Sequence, residues 1–361
     1  MRKDPVKLRI ALLALGGAAL LAGLNAALVA LGVWAPVNQP QMADIHGMVM
    51  TLGFMGTLIS LERAQSLRQN WAYLAPAVIG AGALALVIGQ LALGSLLLIQ
   101  GTALFALVYA ALWWRARVPL LVIQVASALM AFLAAVLWMF FSVSELIPLL
   151  ASYLVLTIAS ERAELAALTI RNAPKILAVF TLPLAVLPVA TLVWPDAIRA
   201  FGLTVILLAI WLLRADIVRK MIFTSGLYRF NAAALGIGYI WLIIAGVTWI
   251  VNGKVSMGAV YDLTIHATFI GFGISMIMAH APVIFPAVLS RPLPYHAALW
   301  VPLVGLHAGL AIRFTGYLIG SNPAWHAGAV INVLSILLFV LTAAVLVLTA
   351  KPAKATPVRR G

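Results

Sequence analysis

The feature that most constrains this chain is the recurrence of uncharged apolar stretches about twenty residues long, separated by short connections that hold nearly all the charge. A hydrocarbon core about 30 Å thick is crossed by about twenty helical residues. Irregular backbone exposed to lipid finds no partner for its N–H and C=O groups, so a chain of this pattern must resolve into helices. Windows of that length place spans at roughly 8–34, 41–66, 71–93, 95–114, 118–141, 145–168, 174–194, 197–213, 229–251, 257–281, 294–319 and 324–350. The expected fold class is therefore an all-α polytopic membrane protein of twelve transmembrane helices. With 65% of the residues hydrophobic and 9% charged, a soluble globular fold is excluded. The first stretch is too long for a secretory signal core and lacks a small-residue cleavage site, so it reads as the first span.

The cations order the spans. They gather in alternate connections, as Arg63 and Arg68, then Arg115 and Arg117, then Arg162, Arg171 and Lys175, then Arg214, Arg219, Lys220 and Arg229, then Arg291. The opposite connections are nearly free of them, with Arg199 and Lys254 the main exceptions. The positive-inside rule then puts both termini in the cytoplasm of a bacterial inner membrane, with 351–361 a basic cytoplasmic tail. The net charge of +14 is spent on that topology, which leaves a lipid bilayer and no nucleic acid as the partner. Cysteine is absent, excluding disulfides, thiolate metal sites and covalent haem attachment.

Six histidines remain to be explained. On this topology His46, His266 and His326 lie toward the outer face, His280 and His296 toward the cytoplasm, and His307 near mid-membrane. His266 and His280 share one span, fourteen residues apart, so their side chains are about 40° apart in azimuth and about 21 Å apart in depth. An ionisable group inside a span is costly without a partner, and haem iron and copper are the metals that take buried neutral imidazole. His46 and His266 are the expected axial pair of a haem, against the plainer reading in which each ring only bonds a carbonyl or helps a span end, and counting from the span ends leaves them about 7 Å apart in depth. Each is followed by a small residue and a Gly-Phe step (Gly53-Phe54, Gly271-Phe272), where a flat group can lie close to both backbones. An inner metal or haem site formed by His280, His296 and His307 is a second expectation, against simple hydrogen bonding of those rings. His326 follows Trp325 and reads as interfacial.

An internal echo supplies the organisation. Span two ends TLISLERAQ and span six LTIASERAE, placing Glu62-Arg63 and Glu161-Arg162 ninety-nine residues apart. Aligning the Gly-Phe steps brings His280 level with Glu62, so span ten is a third copy. Three four-helix units follow, about 1–115, 116–215 and 216–350, in one pseudo-threefold domain. Each Glu-Arg step reads first as a local ion pair closing a helix; proton uptake and a haem propionate partner are the alternatives, with Arg63 and Arg162 the better propionate partners. No P-loop, HExxH or G-x-S-x-G occurs, so hydrolytic chemistry has no visible machinery; whether the chain is an enzyme stays open, with haem-dependent oxidoreduction the expected chemistry if it is.

These features resemble subunit I of the haem-copper oxidase superfamily in layout, and HGMVMTLGFMG and HATFIGFGISMIMAHAP are similar to the NnrS family of haem- and copper-associated bacterial membrane proteins linked with nitric oxide stress. The resemblance implies a low-spin b-type haem on His46 and His266, copper as a second cofactor, a quinol or other redox partner, and nitric oxide or another small gas as ligand. It does not extend to a dioxygen-reducing centre. Thr264 and Thr268 stand where the second span-ten histidine belongs, and spans six and seven have no histidine for copper. The contrasting expectation is a twelve-span permease without haem, since repeated units with proline-broken segments also suit alternating access.

Overall fold

The computed structural model describes residues 6–39, 41–166 and 172–350. Among them there is no strand, and twelve helices are long and apolar enough to cross a membrane: α1 (Val6–Ala30), α2 (Gln41–Leu67), α3 (Asn70–Val87), α4 (Leu91–Ala116), α5 (Pro119–Leu137), α6 (Val143–Glu164), α7 (Ala173–Ala190), α8 (Ala197–Ala215), α9 (Gly226–Asn252), α10 (Gly258–Pro282), α11 (Ala297–Leu318) and α12 (Asn322–Thr349). The basic tail and Arg171 lie outside the described residues. The number of spans matches the hydropathy reading, but some ends do not. Expected to run to residue 93, α3 stops at Val87, and α4 begins at Leu91. Gly89 turns the chain there with φ +84°, inside a run so apolar that hydropathy cannot register the break.

Three helices form the centre. Of the twelve, α2, α6 and α10 are the most buried, and each touches the other two. These are the three spans of the internal echo. α1 and α3 pack on α2, α5 and α7 on α6, and α9 and α11 on α10. Two of the three central helices are irregular in the same way: α2 is π-helical over Val49–Gly56 and α10 over Ala267–Ile274. Such widened turns are uncommon and concentrate at functional sites.

With lipid outside, packing relies on close approach of backbones at small residues. A Cβ on Gly328 of α12 would lie 2.4 Å from the Arg313 backbone nitrogen and 2.5 Å from the Gly309 carbonyl oxygen on α11. Polar links fasten the helix ends. Arg162 of α6 grips Asp216 through Nε and Nη2 at 2.7 and 2.5 Å, and the Tyr239 hydroxyl donates to the same carboxylate at 2.7 Å, tying α6, the end of α8 and α9 together. The two cations that broke the charge pattern act as caps. Arg199 donates to the Ile250 and Val251 carbonyls at the end of α9, and Lys254 to the Thr191 carbonyl at 3.0 Å.

Gly328→Ala is expected to cost about 1–3 kcal/mol, because the contact atoms are backbone and cannot step aside. Gly17→Ala, with nothing within 4 Å of the added methyl, is expected to leave thermal unfolding of the purified protein unchanged or slightly raised.

Candidate functional site

His46 and His266 meet in one cavity. His46 is five residues into α2 and His266 eight into α10, so their depths differ by three residues, about 4.5 Å, less than the span ends implied. The His46 Nδ1 donates to the Gly23 carbonyl of α1 at 2.9 Å. The His266 Nδ1 lies 2.7 Å from the Asp262 carbonyl oxygen one turn earlier and 3.1 Å from an Asp262 carboxylate oxygen. Each ring is thereby held in the tautomer that keeps its lone pair on Nε2. That is the state in which imidazole ligates a metal, with the outer hydrogen bond fixing ring orientation.

Both rings line a cavity of about 340 Å³ between α1, α2, α6, α10, α11 and α12, within the range of small-molecule pockets. Its wall is mostly apolar, including Leu24, Ile147, Phe269, Ile270 and Val333. Asn332, also on the wall, donates to the Leu306 carbonyl at 2.7 Å but leaves its Oδ1 buried without a partner. Asp262 is the hub of the polar edge. Arg313 of α11 clamps it, with Nε at 2.7 Å from Oδ2 and Nη2 on Oδ1, and the Trp325 indole N–H donates to Oδ2 at 3.0 Å. The guanidinium also lies over the Trp325 ring, 5.3 Å from its centroid. Three residues from three helices, Asp262, Arg313 and Trp325, therefore set the His266 ring.

Other expected residues go elsewhere. The Gly-Phe steps do not cradle a ligand: a Cβ on Gly53 would lie 2.6 Å from Ala83 Cβ, and one on Gly271 2.5 Å from Trp241, so both glycines serve helix packing. His280, His296 and His307 do not assemble. Among the described residues no three His, Asp or Glu side chains group to hold a metal ion. The His307 Nδ1 accepts from the Trp241 indole at 3.1 Å and its Nε2 faces the Ser275 hydroxyl at 3.3 Å, so both nitrogens are occupied. His296 accepts from the Ala298 N–H at the start of a 3₁₀ turn. His280 donates to the Met276 carbonyl at 2.7 Å. His326 bridges the Asn322 and Leu31 carbonyls at 2.9 and 3.1 Å.

The Glu-Arg steps pair across helices as well as locally. Arg63 Nη2 holds both Glu62, at 2.5 Å, and Glu161, at 2.8 Å, while Arg162 turns to Asp216. Neither arginine lines the histidine cavity; Arg313 does. Asp262, Arg313 and Trp325 are the site residues that sequence reasoning missed. One signal was available, because Asp262 stands four residues before His266 and so on the same helical face.

The sequence profile of a family described as a domain of unknown function, DUF8744, matches residues 9–348. No curated protein and no solved structure matches the chain.

Removing one partner of a buried ion pair strands the other. Arg313→Met is therefore expected to lower stability by about 3–5 kcal/mol, and Arg313→Met combined with Asp262→Leu to recover most of it, read as the thermal midpoint of the purified protein.

Proposed function

The chain belongs to the DUF8744 family, and on that premise we propose that it is a multi-pass membrane protein holding one b-type haem between His46 and His266. The observation that carries this reading is that two imidazoles from different helices line one apolar cavity, each with Nδ1 committed and Nε2 available. His46 and His266 would hold the group, their Nε2 lone pairs being the donors the protein supplies to it. Held by both histidines, the group would supply one-electron chemistry, and binding of nitric oxide or another small gas would require one of the two imidazoles to give way. Asp262 orients His266 and Gly23 orients His46, and the apolar wall keeps bulk water from both. The propionate role passes from Arg63 and Arg162 to Arg313, the guanidinium at the cavity. Electron supply falls to a quinol or other redox partner.

In this reading the histidine end faces outward and the Glu62 end the cytoplasm of a bacterial inner membrane, following the cation bias. The helices form three four-helix units about the α2–α6–α10 centre. Their mutual contacts and the repeated Glu-Arg step support that grouping. The second reading, a permease without haem, draws on the same cavity and on the Asp262–Arg313 pair within the spans.

Optical spectra separate the two. Detergent-purified protein from haem-supplied cells is expected to show a sharp low-spin spectrum on dithionite reduction, with a pyridine adduct of b type, and to lose it in both His46→Ala and His266→Ala. A colourless wild type sinks the haem proposal and leaves the permease.

A further inference from the structure

A second polar centre lies at the other end of α2 and α6, and the haem reading makes no use of it. The Arg63 guanidinium stands between two carboxylates, with one nitrogen, Nη2, donating to Glu62 at 2.5 Å and to Glu161 at 2.8 Å. All three side chains are largely withdrawn from solvent, at 14%, 25% and 21% exposure for Arg63, Glu62 and Glu161. The neighbouring cations are engaged elsewhere. Arg162 holds Asp216 at 2.5 Å, Arg115 donates to the Leu67 and Ser66 carbonyls at 3.0 and 3.1 Å, and Arg9 of α1 donates to the Ser290 hydroxyl at 3.3 Å. Glu164 is exposed but within electrostatic reach of Glu161 and Arg63, and His280 approaches from α10 within electrostatic reach of Glu62. Two carboxylates on one guanidinium carry one negative charge more than the pair can balance, and a surplus charge at such depth is expensive.

A separate feature points at the same place. Tyr109 of α4 is fully buried, its hydroxyl has no hydrogen-bond partner, and it lies within electrostatic reach of Arg63, Glu161 and Glu62. The Arg63 Nε is likewise buried without a partner. Behind Tyr109, Phe105 stacks between it and Tyr153, with centroids 4.9 and 6.3 Å away, and the buried Tyr153 hydroxyl also has none. Buried polar atoms left in this way are normally met by enclosed water. On the open side, Glu62 lines a surface pocket of about 610 Å³ with Gln65, Ser66, Arg68 and Arg115.

We propose that the Glu62–Arg63–Glu161 cluster is a proton-binding site, in which two carboxylates share one exchangeable proton and enclosed water joins them to the Tyr109 hydroxyl. The shared proton removes the surplus charge, and the surface pocket at Glu62 is its route to the aqueous side. Removing either carboxylate leaves a matched ion pair with no need of the proton. The site is independent of haem and serves colourless and coloured protein alike.

The test is infrared difference spectroscopy of the full chain in nanodiscs, through a pH titration in H2O and in D2O. Folded wild type is expected to show the carbonyl stretch of a protonated carboxylic acid, shifted in D2O. Glu62→Gln and Glu161→Gln should each abolish it, Tyr109→Phe should move its frequency, and Glu164→Gln, which removes a neighbouring charge but neither proton-sharing carboxylate, should keep the band. Absence of the band in folded wild type, or its survival in both glutamine variants, overturns the proposal. The H2O/D2O comparison needs no variant, so a substitution that fails to fold leaves the test standing.

Discussion

A polar side chain in a hydrocarbon slab has to find its partner inside the protein, and that requirement shapes this molecule more than any attraction between apolar faces. Lipid tails are as apolar as leucine, so burying Leu against Leu gains little here. The central helices α2, α6 and α10 carry ionisable groups that their own surfaces and side chains from the outer helices, such as Arg313 of α11, enclose. The histidine end and the carboxylate end are two solutions to one problem. At the first, carbonyls and an aspartate take up imidazole N–H groups; at the second, one arginine serves two glutamates.

The two bidentate clamps show how the outer helices are recruited. Arg162 with Asp216 and Tyr239, and Arg313 with Asp262 and Trp325, have the same Nε and Nη2 fork on a carboxylate that also accepts from an aromatic donor. A fork of this kind fixes direction as well as distance. One clamp locks α6 to α8 and α9 at one end, and the other locks α10 to α11 and α12 at the opposite end. The approach of Gly328 to the Arg313 backbone brings α11 and α12 close enough for Trp325 to complete the second.

Much of this was legible in the sequence, for reasons that vary by residue. Twelve spans could be counted because hydropathy sums over twenty residues, while the Gly89 turn escaped because one backbone angle leaves no trace in such a sum. His46 and His266 stood out because histidine is rare in spans, and their shared cavity followed from placing α2 beside α10. Arg313 could not be read in advance, since its partner is fifty-one residues away on another helix. Sequence neighbours misled in the Glu-Arg steps, where Arg162 passes over Glu161 for Asp216. The glycines of the Gly-Phe steps were expected to admit a flat ligand, and they admit α3 and α9 instead.

The histidine cavity has two imidazoles and not three because α6 contributes none. The interval of ninety-nine residues that carries Glu62 to Glu161 carries His46 to Glu145. In α6 that residue does not face the cavity. Its carboxylate accepts from the Ser142 backbone N–H at 3.0 Å and hydroxyl at 2.9 Å, capping the helix where it begins. The α6 share of the cavity wall is then Val143 and Ile147, both apolar. The central helix that lacks the histidine also lacks the π-helical stretch, which α2 and α10 begin within three residues of theirs. Widened turn and imidazole thus occur together in α2 and α10 and are absent together in α6. At the opposite end each of the three central helices carries an ionisable group, Glu62, Glu161 and His280, so α6 differs from α2 and α10 where the cavity lies and matches them in having such a group at the other end.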